Sequence, residues 1–163
     1  VKVVEQTKVD DVMGPALAFL NDLVAPLTVE PKTCFVAIPF TERFETAYRT
    51  VYRPLLAKHG FNAFRAWGGL ANEYHHDLLC TLIDKSGAFL AKPTGMNANV
   101  VFELGYAMGR DKLALMVGDL AAPISFANVR GLVIMPYDSR KKDWEADFVD
   151  GTGDLLMRAI LEA

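Results

Sequence analysis

From residue 32 onward, short apolar runs alternate with longer stretches in which apolar residues recur at helical spacing. Cys34 to Pro39, Phe61 to Arg65, Gly87 to Ala91, Leu113 to Val117 and Leu132 to Met135 read as five strands. Thr41 to Lys58, Leu70 to Asp84 and Asn99 to Arg110 fill gaps between them as helices, and Gly153 to Glu162 follows the last strand as another. Strands alternating with helices build βαβ units around a parallel sheet, so the pattern predicts an α/β domain. Gly118 to Asn128 breaks the rhythm, since it holds a proline and little helical period; a loop or a short helix is expected there.

Local punctuation agrees with these elements. Thr41 is placed to cap the first helix, Lys58-His59-Gly60 supplies a basic last turn and a glycine stop, and Asn97 or Asn99 can cap the helix after the third strand. Ahead of the first strand, Asp11 to Ala25 reads as an extra helix, with Pro15 near its start, Pro26 after its end, and Leu17, Leu20 and Val24 on one face. Residues 1–31 are therefore expected to form an N-terminal extension with one helix, and residues 32–163 a single domain.

Five strands so connected predict a flavodoxin-like, Rossmann-like three-layer sandwich with strand order 2-1-3-4-5, in which the chain reverses direction between the first and third strands. Ligands bind at that switch point, outside the carboxyl ends of the strands. The loops that meet there are 39–43 and 92–99, and Glu103 begins the second turn of the helix leaving the latter. It is the only charged residue between Pro93 and Gly109, flanked by Phe102 and Leu104. A carboxylate in so apolar a run costs free energy to desolvate unless a cleft, partner or ligand compensates, which makes Glu103 the leading candidate for chemistry. The helix N-terminus is expected to hold it ionised at pH 7, by about 0.3–1 kcal/mol. The structural alternative is a carboxylate satisfied by backbone N–H groups at its own helix start.

Composition narrows the partners. An apolar share of 52% against 23% charged residues excludes a disordered chain and leaves a small apolar surplus that suggests a homo-oligomer interface. A formal charge of −3 gives no basic field to gather polymeric nucleic acid or an anionic membrane. No run reaches the ~18 uncharged apolar residues of a membrane span, and the first residues lack the order of a signal peptide. Cys34 and Cys80 lie in apolar segments without ligand spacing and read as reduced thiols, consistent with a cytoplasmic protein.

Phe35-Val36-Ala37-Ile38-Pro39-Phe40 and then Thr94-Gly95-Met96-Asn97-Ala98-Asn99-Val100-Val101-Phe102-Glu103-Leu104-Gly105-Tyr106-Ala107 carry a family resemblance. They resemble the FVxMPF and TGxNPNVxxELGxA motifs of the nucleoside 2-deoxyribosyltransferase-like family and its TIR-like relatives. Arg65, the Gly109-Arg110-Asp111-Lys112 turn and Asn128-Val129-Arg130 extend the resemblance, which covers residues 32–137. It implies cleavage or transfer of the N-glycosidic bond of a nucleoside, nucleotide or NAD-like molecule. In that chemistry Glu103 attacks the anomeric carbon or stabilises the developing oxocarbenium cation. By the same resemblance Phe40 sits beside the base, Asn97 meets a sugar hydroxyl, and Thr94, Gly95 and Asn99 shape the loop under the sugar. No metal or redox cofactor is implied.

One departure stands out. The family carries an Asp at the end of the third strand, in an A-D-L-T-G-like run, where this chain has Ala91-Lys92-Pro93-Thr94-Gly95. A cation in place of an anion leaves three consequences open: a catalytically impaired nucleotide-binding or interaction module, pairing of Lys92 with Glu103, or contact between Lys92 and a ligand phosphate.

The remaining features are weaker. Arg65, Trp67 and Gly68-Gly69 can form a lid over the ligand, though a simple turn also accounts for the glycines. His75 and His76 point about 100° apart on a helix and read as solvated surface rather than a metal site. Arg140 to Lys142 reads as a solvated loop, and no GxxxxGK, GxGxxG or GxSxG occurs.

Overall fold

The computed structural model describes residues 29–66, 75–122 and 133–162. The helix expected over 11–25, the lid residues 67–69 and most of the 118–128 connection lie outside the described residues. Strands β1 (Glu30–Ala37), β2 (Asn62–Phe64), β3 (Ser86–Ala91), β4 (Leu113–Asp119) and β5 (Val133–Tyr137) form one parallel sheet in the order β2-β1-β3-β4-β5. This is the order expected from the alternation of elements. Helix α1 runs through Glu42–Ala47, a π-helical stretch Tyr48–Tyr52, and Arg53–Lys58. It is followed by α2 (His75–Lys85), α3 (Ala98–Gly109) and α4 (Trp144–Asp147), which passes through a π-helical turn, Phe148–Thr152, into α5 (Gly153–Leu161).

The period of two along each strand builds two cores. Cys34 and Val36 of β1, with Ile38 just after it, pack with Val51, Leu55 and Leu56 of α1 and with Phe148 and Met157. Phe35 and Ala37 point the other way, onto Leu79 and Ile83 of α2 and Val100, Leu104 and Ala107 of α3. Helices thus cover both faces, each fully buried large apolar side chain contributing about 1.5–3 kcal/mol. The central strands β1, β3 and β4 are apolar on both sides, as a covered parallel sheet requires. Among the described residues no helix is long and apolar enough to cross a membrane.

The structure differs from the sequence reading at several borders. β1 starts at Glu30 rather than Cys34, because Glu30, Pro31 and Lys32 are exposed and carry no apolar signal. Its register against β3 shifts between Glu30 and Cys34. Here β3 needs Gly87, where an added Cβ would lie 2.4 Å from the Pro31 carbonyl oxygen. β5 runs on through Pro136 to Tyr137, which an edge strand tolerates. Thr41 occupies the N-cap of α1 but makes no side-chain cap bond.

Two glycines should respond oppositely to alanine. Gly105 is exposed in the middle of α3 with nothing within 4 Å of an added Cβ. Gly105→Ala is expected to stabilise by about 0.5–1 kcal/mol, and Gly87→Ala to destabilise by about 1–3 kcal/mol. Urea denaturation of both variants checks this.

Candidate functional site

The chain crosses from one sheet face to the other between β1 and β3, and the loops after those strands carry most of the residues singled out by sequence. Beyond β1, Phe40 is half exposed and lies under the Arg65 guanidinium, which follows β2, at 4.6 Å from the ring centroid. The Tyr48 ring flanks the same guanidinium at 5.7 Å. Arg65 Nη1 donates to Glu45 Oε2 at 2.7 Å, while Glu45 Oε1 accepts from Arg49 Nε at 2.8 Å. These side chains line an open groove of about 650 Å³. That size suits a small organic ligand, with aromatic wall and charged groups side by side.

Of these groove-lining residues, the sequence reading singled out Phe40 and Arg65 but not Glu45 and Tyr48. Thr41, Glu45 and Tyr48 stand at i, i+4 and i+7 on α1, so helical spacing alone places them on one face. That spacing was the available signal.

Glu103 lies elsewhere in the same end of the molecule. It shares the inward stripe of α3 with Val100, Leu104 and Ala107 and is 6% exposed. It makes no hydrogen bond or ion pair among the described residues. Burial pushes its carboxyl up to about 7, and the Arg65 charge pulls in the opposite direction. Both structural expectations for Glu103 therefore need correction: it is neither held fully ionised by the helix terminus nor satisfied by backbone N–H groups. The N-terminal field fades within the first turn, and Glu103 is five residues beyond Ala98, so desolvation wins. The first turn has its own partner, since Asn97 Oδ1 accepts from the Val100 N–H at 3.2 Å.

The loop before α3 is a short 3₁₀ turn, Thr94–Met96, with Gly95 at φ +66°, a conformation that favours glycine. Thr94 and Asn97 are half-buried, whereas Gly95 and Asn99 are exposed. Asn97, not Asn99, is the cap. His76 lies on the exposed side of α2 and packs its ring 5.3 Å from that of Phe102.

Lys92 is not beside Glu103. Ala91 packs on the α2/α3 side of the sheet, so the next residue turns to the α1 side. There Lys92 is 2% exposed, donates to the Tyr137 hydroxyl, and stands over the rings of Tyr137 and Phe44 at 4.2 and 5.7 Å. Burial pushes its ammonium down to about 8, with Asp119 opposing and Arg43 adding to the shift. Pairing of Lys92 with Glu103 is thereby excluded.

The charge that does act on Glu103 is Arg65. Arg65→Met is expected to move the Glu103 titration to higher pH and to cost about 1 kcal/mol of stability through the lost ring contacts. Carboxyl NMR and thermal unfolding report the two effects.

No family model and no curated protein matches the chain. Fold and groove define the class directly: a doubly wound α/β protein with a ligand-sized groove at the carboxyl end of its parallel sheet.

Proposed function

We propose that this protein cleaves or transfers the N-glycosidic bond of a nucleoside, nucleotide or NAD-like molecule, as the family that its motifs resemble does. One observation supports this most: Glu103 is a nearly buried carboxyl without a partner among the described residues, titrating near neutrality. Catalytic carboxyls need a pKa matched to their task, and a desolvated, unpaired carboxyl shifted toward neutrality fits such a role.

In this reading the Phe40 ring and the Arg65 guanidinium receive the base. Ionised Glu103 then meets the anomeric carbon as positive charge develops there, its attraction strengthened by the low local dielectric. The C–N bond breaks with its electron pair leaving on the base, which takes up a proton. Water or a second base then takes the sugar. Asn97 serves the loop chiefly as a helix cap in this scheme, and Thr94 and Gly95 shape it.

A second reading, a binding module of the same fold with impaired catalysis, rests on one observation. Lys92 stands where the family's Asp would be and faces away from Glu103. A single assay separates the two. The protein is incubated with deoxynucleosides, nucleoside monophosphates and NAD, with and without an acceptor base, and free base is measured by chromatography. Base release from one of them is expected; binding without release would favour the module, and neither binding nor release would overturn both readings.

A homo-oligomer in the cytoplasm belongs to the same proposal. Exposed Phe102 and Met108 on α3 and Leu155 and Leu161 on α5 supply apolar surface for self-association, which sedimentation velocity would measure.

A further inference from the structure

A second cleft opens at the carboxyl end of the sheet on the opposite face from Glu103, between α1, β5 and α4. It holds about 240 Å³ and is lined by Arg43, Phe44, Tyr52, Lys92, Tyr137 and Glu145, among others. Two cations meet there, and neither has an ion-pair partner among the described residues. Lys92 is nearly buried and its ammonium donates to the Tyr137 hydroxyl; Arg43 is exposed on α1. The Tyr52 hydroxyl is buried and points toward that of Tyr137 without reaching good hydrogen-bond geometry with it or with any other described group. A buried ammonium without a direct ion pair and a buried hydroxyl outside good hydrogen-bond geometry are each unfavourable, and a single small anion seated between them would satisfy both.

We propose that this cleft binds a phosphate oxyanion, held by the Lys92 ammonium and the Arg43 guanidinium with the Tyr52 hydroxyl donating a hydrogen bond. The cleft is smaller than the ~300–1,000 Å³ of sites that enclose drug-sized ligands, so it suits free phosphate or the phosphate of a small ester. The site is independent of the chemistry assigned to Glu103.

The charged and titratable groups around Lys92 set the pH response. Arg43 and Tyr52 come from α1, Asp119 from β4, Tyr137 from β5 and Glu145 from α4. The Asp119 carboxylate accepts from the Ala121 and Ser139 N–H groups and its charge supports the ammonium without a direct ion pair among the described residues, and Glu145 is exposed, so an anion in the cleft would be the first direct counter-ion of Lys92. Because burial holds the ammonium at about 8, a bound anion raises it, and binding weakens as the pH climbs from 8 to 10.

The test is calorimetric titration of the full chain with inorganic phosphate and, separately, with ribose 5-phosphate at pH 7 and pH 9.5. Saturable binding is expected, weaker at pH 9.5. It should fall at least roughly tenfold in Lys92→Met and in Arg43→Met and stay unchanged in Lys85→Met, a loss of at least about 1.4 kcal/mol. Tighter binding of ribose 5-phosphate than of phosphate would support an ester ligand, and equal binding free phosphate. Arg43 is exposed, so Arg43→Met carries the test even where Lys92→Met alters folding. Absence of saturable binding to both ligands, or binding unchanged in Lys92→Met and Arg43→Met, would overturn the proposal.

Discussion

Glu103→Gln is expected to lower base release by roughly 10²–10³-fold or more, while making the folded protein more stable above pH 7. Both effects come from the same burial. A carboxyl moved from its ordinary 4.5 to about 7 favours the folded state below pH 4.5, and that advantage is lost as pH rises through 7. Above pH 7 the folded protein carries the full cost of a desolvated carboxylate, about 3 kcal/mol for a shift of this size. Gln keeps the shape without the charge, so the gain in stability should be about 2–3 kcal/mol at pH 8 and vanish near pH 4. Activity should show the complementary limb, since catalysis uses the ionised form: kcat/KM falls about tenfold per pH unit below 7. Urea unfolding at pH 4 and pH 8, with a pH–rate profile, checks each part.

Lys92→Met has the mirror-image pH dependence. An ammonium lowered from 10.5 to about 8 destabilises the folded state at neutral pH, and the missing stability returns only as pH rises from 8 to 10.5. Replacing it with Met should therefore stabilise the protein by about 2–3 kcal/mol at pH 7, less about 1 kcal/mol for the bond lost to the Tyr137 hydroxyl. At pH 10.5 the gain should be gone. In the wild type the two groups together place a trough of stability between pH 7 and 8, which unfolding free energies measured from pH 4 to pH 10.5 would trace. A cost at two positions on opposite faces of one sheet end is what binding sites carry when their ligands are charged or develop charge.

The sheet was readable because apolar runs and helical stretches alternate cleanly, and strand order follows from that alternation. Borders built of polar residues were not readable: Glu30 pairs with β3 and Thr33 with β2, and Glu30 to Lys32 are exposed, so no hydrophobic signal announces them. Helix α4 escaped notice for a related reason. It is four residues long and reaches α5 only through a π-helical turn that contains Gly151, which reads as a breaker.

A lone charge in an apolar run singled out Glu103 as a candidate, but its titration was misjudged. Helix terminus and desolvation act in opposite directions on a carboxylate, and only depth of burial decides between them. The direction of Lys92 follows from strand alternation once α3 is known to pack on the Ala91 side, a fact that a linear reading lacks. Glu45 and Tyr48 needed only the step from Phe40 into a helix, and their spacing from Thr41 was visible throughout.

The most direct test of the account is a carboxyl ¹³C NMR titration of the protein labelled at glutamate, with the Glu103 signal assigned by its loss in Glu103→Gln. One glutamate should titrate near 7, and adding the nucleoside or nucleotide that releases base should displace that same signal. Titration of Glu103 near its ordinary 4.5, unmoved by ligand, would contradict the claim that this carboxyl is the desolvated centre of the site.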